Sequence, residues 1–577
     1  MARGRGRGRG PSLSQAGEAS GPAGAPAGPS NLEDILDFAD HAWANVYEGH
    51  EGQDRLYRFQ ALLEPGLMLH TQYSGKGTAE TCASHIAQLC KEHSIFQEGA
   101  GLDRMATAFD SKRFAVEVLL QHGCNSKPTC IFGAMESCLS TEARDEIEKL
   151  MPAKAQSDSE REVAFATMHE YLRKNQSTAY PQDKEAPCYN HACKKGCRVW
   201  PAKPSPQTFT LWVAGQTCKD VSRRGCRQGF TGPNTKTYLV WLGMVRSQAP
   251  DMIIHEITCS NEARDRLHAD LSPICMRYRR MCVLRRQFTN VGSWKEFKDI
   301  FCSRCVATAD VFFQPGLQHR EEVARALAQK NGVDLVLSPA EFRCANQYRS
   351  RATQRGFGEQ DFFCFDVAQE VGYGPISTLG PCLTSHNKII NGQTGEMLTG
   401  LDHLLLMGAL LAAVLQVSLP ASLRPMSHES CPIPSATCLG ESTFPHVVTK
   451  YKCPFAEFAW QQRAQCGQWK DLAGNAMHQQ LLTAVMLYFL SSVVRVPGGE
   501  FRCDGFQFHR GFTSDVLEDS QEKPDAAERA DPRQDEDLEN SSYKCPESGC
   551  LSSAQQPAQP AESAEDAGAK KRLRLSR

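Results

Sequence analysis

The segment from Leu67 to His93, "LMLHTQYSGKGTAETCASHIAQLCKEH", constrains the fold more than any other. An apolar run passes through Gly75-Lys76-Gly77 directly into an amphipathic stretch. Short apolar runs bounded by turn residues read as buried strands, and apolar residues spaced three and four apart read as helices. The same alternation returns along the chain. "RMATAFD" (104–110) leads into the helical "SKRFAVEVLLQH", and "TCIF" (129–132) into a helix near 140–151 and the helical "EREVAFATMHEYLRK". "TFTLWVAG" (208–215), "TKTYLVWLGMVRSQ" (235–248) and "DMIIHEIT" (251–258) repeat the unit. Strands alternating with helices predict a layered α/β domain built on a mostly parallel sheet. With 577 residues, 41% of them hydrophobic and 23% charged, the chain can bury a substantial core and carry more than one region.

A strand that runs into glycines and then a helix can bring backbone N–H groups close to a polar ligand, although a strand-to-helix turn also needs glycine for its own dihedrals. Asp110, ending the next predicted strand, supplies a carboxylate able to accept both hydroxyls of a ribose. Its distance from Gly77 exceeds the roughly 20 residues of dinucleotide folds, which fits a different nucleoside cofactor better.

Both ends of the chain are poor in large apolar groups. Residues 1–30 begin with Arg3, Arg5, Arg7 and Arg9 alternating with glycine, and residues 515–577 are polar and low in aromatics, so both are expected to be disordered. The arginine arm suits sequence-blind phosphate contact and equally suits a merely soluble tail. The net charge of −2 selects no partner by itself. The closing "KKRLRLSR" resembles a nuclear-entry signal, and the localisation expected is nuclear.

No secretory signal precedes the 25 cysteines, so reduced thiols are expected. The longest apolar run, Leu404 to Leu415, is too short to span a bilayer and reads as a buried helix, so no membrane partner is expected. "CYNHACKKGC" offers Cys188, His191, Cys193 and Cys197 at a spacing that could close on zinc. Packed reduced thiols are the default there and at Cys302 and Cys305, and no metal is assigned.

Six short motifs, in order between about residues 67 and 490, resemble the DNA (cytosine-5) methyltransferase family. "YSGKG" resembles its Phe-x-Gly-x-Gly motif, "FD" at 109–110 its ribose-binding acid, and "AGQTCKDVSRRG" its Gly-x-Pro-Cys nucleophile loop. "IIHEIT" is similar to the strand ending in Glu-Asn-Val, "CMRYR" to Gln-x-Arg-x-Arg, and "LAGNAMHQQLLTAV" to the closing Gly-Asn-Ala helix. Thr217, Lys219, Ile257 and Cys275 depart from the family residues at their positions, and Ala134 stands where an acid often meets the adenine amino group.

The resemblance implies a Rossmann-like S-adenosylmethionine-dependent methyltransferase sheet that transfers a methyl group to C5 of cytosine in DNA. Cytosine in RNA is the same-chemistry alternative, and a catalytically silent nucleic-acid-binding relative is the alternative from another class. Cys218 would add to C6 as a thiolate, with Lys219, Arg223 or Arg224 lowering its pKa. Glu256 would hydrogen-bond the base edge and stabilise the protonated adduct, while Arg277 and Arg279 would hold the extruded nucleotide. Tyr73, Gly75, Gly77 and Asp110 are the implied cofactor residues. Asn475 is grouped with them and read first as structural. The implied organisation is a disordered arm (1–30), a cofactor-binding and catalytic domain (31–280), a target-recognition region (281–395), a C-terminal part returning to the catalytic domain (396–495), and a tail (515–577).

Overall fold

A computed structural model describes residues 34–495 with breaks. The longest are 313–336 and 408–465; shorter ones include 97–103, 192–195, 217–219, 221–227, 257–265, 272–275, 280–281, 302–307 and 384–386. The expected tails, 1–30 and 515–577, lie outside the described residues.

The first strands follow the sequence pattern closely: β1 (Leu67–Gln72), β2 (Arg104–Phe109) and β3 (Cys130–Phe132). A two-stranded antiparallel insert, β4 (Glu185–Ala186) and β5 (Cys197–Arg198), precedes β6 (Phe209–Gly215) and β7 (Met252–Glu256). A hairpin, β8 (Met276–Arg279) and β9 (Cys282–Arg285), completes the main sheet. Its seven strands run in the order β3-β2-β1-β6-β7-β9-β8. The first five are mutually parallel, and β9 is antiparallel to both β7 and β8. The fold is mixed α/β with a mostly parallel sheet, compatible with a Rossmann-like architecture.

Side chains alternate between the two faces because a strand has a period of two. Phe209, Leu211 and Val213 of β6 join one core with Leu67 and Leu69 of β1 and Met252 and Ile254 of β7. Trp212 and Ala214 of β6 join the opposite core with Ile253. Helices Phe38–Tyr47, Gly52–Leu63, Thr78–Glu92 and Gln479–Ser492 cover the first face, and Asp158–Lys174 and Thr235–Gln248 the second. Burial on both faces explains why the strands read as near-continuous apolar runs.

Beyond β9, β10 (Phe288–Asn290) pairs with the C-terminal β13 (Val493–Arg495), and β11 (Cys364–Asp366) with β12 (Ile389–Asn391). The boundary expected at residue 280 therefore falls inside the β8–β9 hairpin, and the main sheet continues to Arg285. A smaller core, with Tyr348, Phe363, Phe365 and Ile390, lies in the region expected to read the target. Buried Asp366 organises it, accepting from Asn387 Nδ2 at 2.6 Å, Gln369 Nε2 at 2.7 Å and the Lys388 N–H at 2.8 Å. The apolar run expected from Leu404 to Leu415 starts within the helix Gly400–Leu406, and its residues 408–415 lie outside the described residues. Among the described residues no helix is long and apolar enough to cross a membrane.

Candidate active site at the C-terminal edge of the sheet

The chain moves from β1 outward to β2 and β3 on one side, then returns to lay β6 and β7 on the other. The strand order thus reverses between β1 and β6. In open α/β sheets this switch point opens a crevice beyond the strand C-termini, where ligands bind. The segment 73–77 after β1, Asp110 after β2, Gln216 after β6 and Glu256 at the end of β7 all reach this edge.

The turn after β1 is built from left-handed backbone. Tyr73, Gly75 and Gly77 have φ of 56°, 57° and 80°. For tyrosine this is an uncommon conformation that the surroundings must impose. The two glycines do different work. A Cβ on Gly75 would meet nothing nearer than the Tyr73 carbonyl oxygen at 4.0 Å, so its backbone stays open to a ligand. A Cβ on Gly77 would lie 2.3 Å from His122 Cε1, so Gly77 is needed for packing as well as for its dihedral. The helix Thr78–Glu92 starts immediately after it.

Asp110 locks this turn to the next strand. Its Oδ2 accepts the Gly75 N–H at 2.8 Å and its Oδ1 the Lys112 N–H at 2.8 Å. Burial raises its pKa, and the two N–H bonds work against that rise. Two carboxylate oxygens offer about four acceptor positions, so capacity remains for a diol. The room at Gly75 and the anchored acid fit the nucleoside end of a cofactor. The tyrosine hydroxyl of Tyr73 is buried, and no described residue hydrogen-bonds to it.

Beneath the turn sits a residue that the sequence reading passed over. Glu80, 1% exposed, accepts a hydrogen bond from Thr71, whose hydroxyl also lies 2.8 Å from that of Ser74. Burial, with a smaller contribution from the Asp110 charge, pushes its pKa up to about 7. The sequence cue was an acid in the first turn of a helix, a position usually solvated and satisfied by the helix dipole.

On the other side of the switch point, burial raises the pKa of Glu256. Among the described residues none donates a hydrogen bond to its carboxylate or ion-pairs with it. The side chain leans toward the end of β6, since a Cβ on Gly215 would lie 3.8 Å from Glu256 Oε2 and 3.5 Å from Met477 Cε. The Gln216 N–H donates to the Glu256 carbonyl at 3.1 Å.

Cys218, Thr217 and Lys219 lie outside the described residues, as do Arg223, Arg224 and Ile257. Both flanks of their loop are fixed. Gln216 is tied to β7, and buried Asp220 accepts the Asn234 N–H at 2.8 Å and Asn234 Nδ2 at 3.0 Å. The Gly229 N–H donates to the Asp220 carbonyl at 2.8 Å.

Arg277 and Arg279 lie two apart in β8, opposite Leu284 and Cys282 of β9. Because β8 runs in the direction of β7, Arg279 is the nearer of the two to the edge that carries Glu256. Asn475 follows the helix Cys466–Gly474 and donates to the Asp471 carbonyl at 2.6 Å and to Asp471 Oδ1 at 2.9 Å. Asp471 in turn pairs with Lys112. Asn475 therefore reaches the Asp110 corner through Asp471.

No protein-family model matches the chain, and no curated protein is significantly similar to it.

Proposed function

We propose that the chain is an S-adenosylmethionine-dependent methyltransferase acting on C5 of cytosine in DNA, in the nucleus. The observation that carries the reading is the single sheet edge that gathers the Gly75–Asp110 turn, Glu256 and both anchors of the loop bearing Cys218. The strand order adds support, because its reversal between β1 and β6 opens the crevice at the strand C-termini in which a nucleoside cofactor would lie.

In this reading Gly75, Gly77 and Asp110 hold the nucleoside cofactor, with Tyr73 shaping the turn and Asn475 bracing it through Asp471. S-Adenosylmethionine, when bound, supplies the methyl group. A cytosine extruded from the duplex enters the crevice, its backbone and carbonyl held by Arg277 and Arg279. The Cys218 thiolate forms a bond to C6, and the electron pair displaced from the C5–C6 double bond makes C5 nucleophilic. Glu256, whose pKa is raised by burial, would donate to N3 as this charge develops. After methylation a base removes the C5 proton, and the returning electron pair expels Cys218.

The test is a trap. DNA containing 5-fluorocytosine should form a covalent adduct that requires S-adenosylmethionine, because fluorine at C5 cannot leave as a proton does. The adduct should vanish in Cys218→Ala and form roughly 10² to 10⁴ more slowly in Glu256→Gln, the usual scale for losing a general acid. Alanine variants of Cys226 and Cys259 should form it normally. Adduct on fluorinated RNA alone would reassign the substrate, and no adduct on either would favour the silent relative.

A further inference from the structure

We propose that Cys130, Cys188, His191 and Cys197 form a tetrahedral zinc site that fastens the edge of the main sheet to the β4–β5 insert. Their ligand atoms all lie within 4.8 Å of one another. The sulfurs of Cys130, Cys188 and Cys197 stand 3.7, 3.5 and 3.4 Å from His191 Nδ1. Zinc bonds of about 2.3 Å to sulfur and about 2.0–2.1 Å to nitrogen, at tetrahedral angles, place sulfur and nitrogen about 3.6 Å apart. The three observed separations bracket that value.

The backbone around the cluster is arranged to hold it. The Tyr189 N–H donates to the Ile131 carbonyl at 2.8 Å, and Asn190 Nδ2 donates to the carbonyls of Pro128 and Thr129 at 3.2 and 3.0 Å. The segment 188–190 thus runs along the free edge of β3, which has only three residues and begins at Cys130. Gly196, at φ 95°, turns the chain so that Cys197 pairs with Ala186 across the insert. A Cβ there would sit 2.4 Å from the Ala186 carbonyl oxygen, so this turn requires glycine. Two ligands come from neighbouring positions, one from the far side of a glycine turn, and the fourth from a strand 58 residues upstream of Cys188.

Soft thiolates with one imidazole and no carboxylate select zinc over magnesium or calcium. A complete four-ligand protein set leaves no open position for a reacting water, which marks a structural site. A reducing compartment favours metal over disulfides as the cross-link between distant cysteines. The fourth ligand differs from the one the local motif offers. Cys193 lies outside the described residues, and Cys130 completes the set without it.

The experiment uses the full chain purified under reducing conditions without chelator. Elemental analysis should find zinc at one equivalent per chain, and replacement by cobalt should give the visible bands of a tetrahedral thiolate site. Cys193→Ser should keep both signals. Cys130→Ser should weaken zinc binding by more than the roughly 10- to 100-fold typical of losing a residue that only hydrogen-bonds to a metal ligand. Cys130→His, which restores a ligand, should recover the metal with an altered cobalt spectrum even if the serine variant folds poorly. Chelation of the parent should lower its melting temperature, and added zinc should restore it. Metal-free protein that takes up no cobalt, a disulfide among these three cysteines, or loss of metal in Cys193→Ser with retention in Cys130→Ser would each overturn the assignment.

Discussion

The carboxylate of Asp110, at the end of β2, reaches the turn after the adjacent β1 to accept the Gly75 N–H at 2.8 Å, so the acid that would bind a ribose also fixes the shape of the turn beside it. Loss of this side chain should therefore act twice. Asp110→Ala leaves the Gly75 N–H and the half-buried Lys112 N–H without their partner, a penalty of about 1–3 kcal/mol for the more buried of such groups. Calorimetry should show S-adenosylhomocysteine binding falling sharply, with Asp110→Asn intermediate because one amide oxygen can still accept. Unchanged binding in the alanine variant would place the nucleoside elsewhere.

Gly77 tests the packing side of the same turn. Gly77→Ala sets a methyl group against the His122 ring and forces a left-handed dihedral on alanine. We expect a loss of more than about 2 kcal/mol in denaturant unfolding, from strain and overpacking together. The double variant Gly77→Ala with His122→Ala should recover part of the loss, since space is restored and the dihedral is not. Gly75→Ala, with open space around it, should cost less stability than Gly77→Ala.

Much of this edge was legible because strand-turn-helix units carry their own punctuation. The helix Thr235–Gln248 matches its apolar run end to end, β6 and β7 each begin one residue later than theirs, and the last two residues of the second run, 257–258, lie outside the described residues. Legibility failed where the determining partner is remote in sequence. Cys130 sits alone in a strand, and no local spacing ties it to Cys188, His191 and Cys197. Glu80 looks like an ordinary first-turn acid, and only the packing of β1 and Thr71 over it makes it a buried carboxyl. Asn475, grouped with the cofactor residues by its motif and read first as structural, bonds to Asp471, a partner no local pattern points to. The β8–β9 hairpin was obscured because the arginines of "RYRRMCVLRR" read as a basic surface strand.

Asp220 offers a way to loosen the loop that bears Cys218, the proposed nucleophile, without touching Cys218 or Glu256. Asp220→Ala removes the acceptor for the Asn234 N–H and side chain at the start of the helix Thr235–Gln248. A lost bond of this kind at a helix start costs about 1–2 kcal/mol. With one anchor of the Cys218 loop released, trapping of 5-fluorocytosine DNA should slow by at least about tenfold while S-adenosylhomocysteine affinity changes little. Equal losses in both measurements would mean that Asp220 supports the whole sheet edge and not the loop.

Glu80 makes stability depend on pH in a window where most carboxylates do not titrate. Its folded pKa, about 7, lies above the ordinary 4.5, so the folded state favours the protonated form. The resulting stabilisation is fully present below pH 4.5 and is lost as pH rises through 7, when a buried charge must be created or the proton held against the solvent. A rise of this size corresponds to a penalty on the order of 3 kcal/mol once the pH is well above 7. Glu80→Gln keeps an oxygen to accept the Thr71 hydroxyl and carries no charge. In paired urea titrations its unfolding free energy should track the parent near pH 5 and exceed it by a few kcal/mol near pH 8.5. Buried histidines such as His70 and His122, whose pKa values are lowered by burial to about 3 and about 4, are common to both proteins and cancel in the difference. Parallel curves across this range would show that the carboxyl of Glu80 ionises in the folded protein as it does in water.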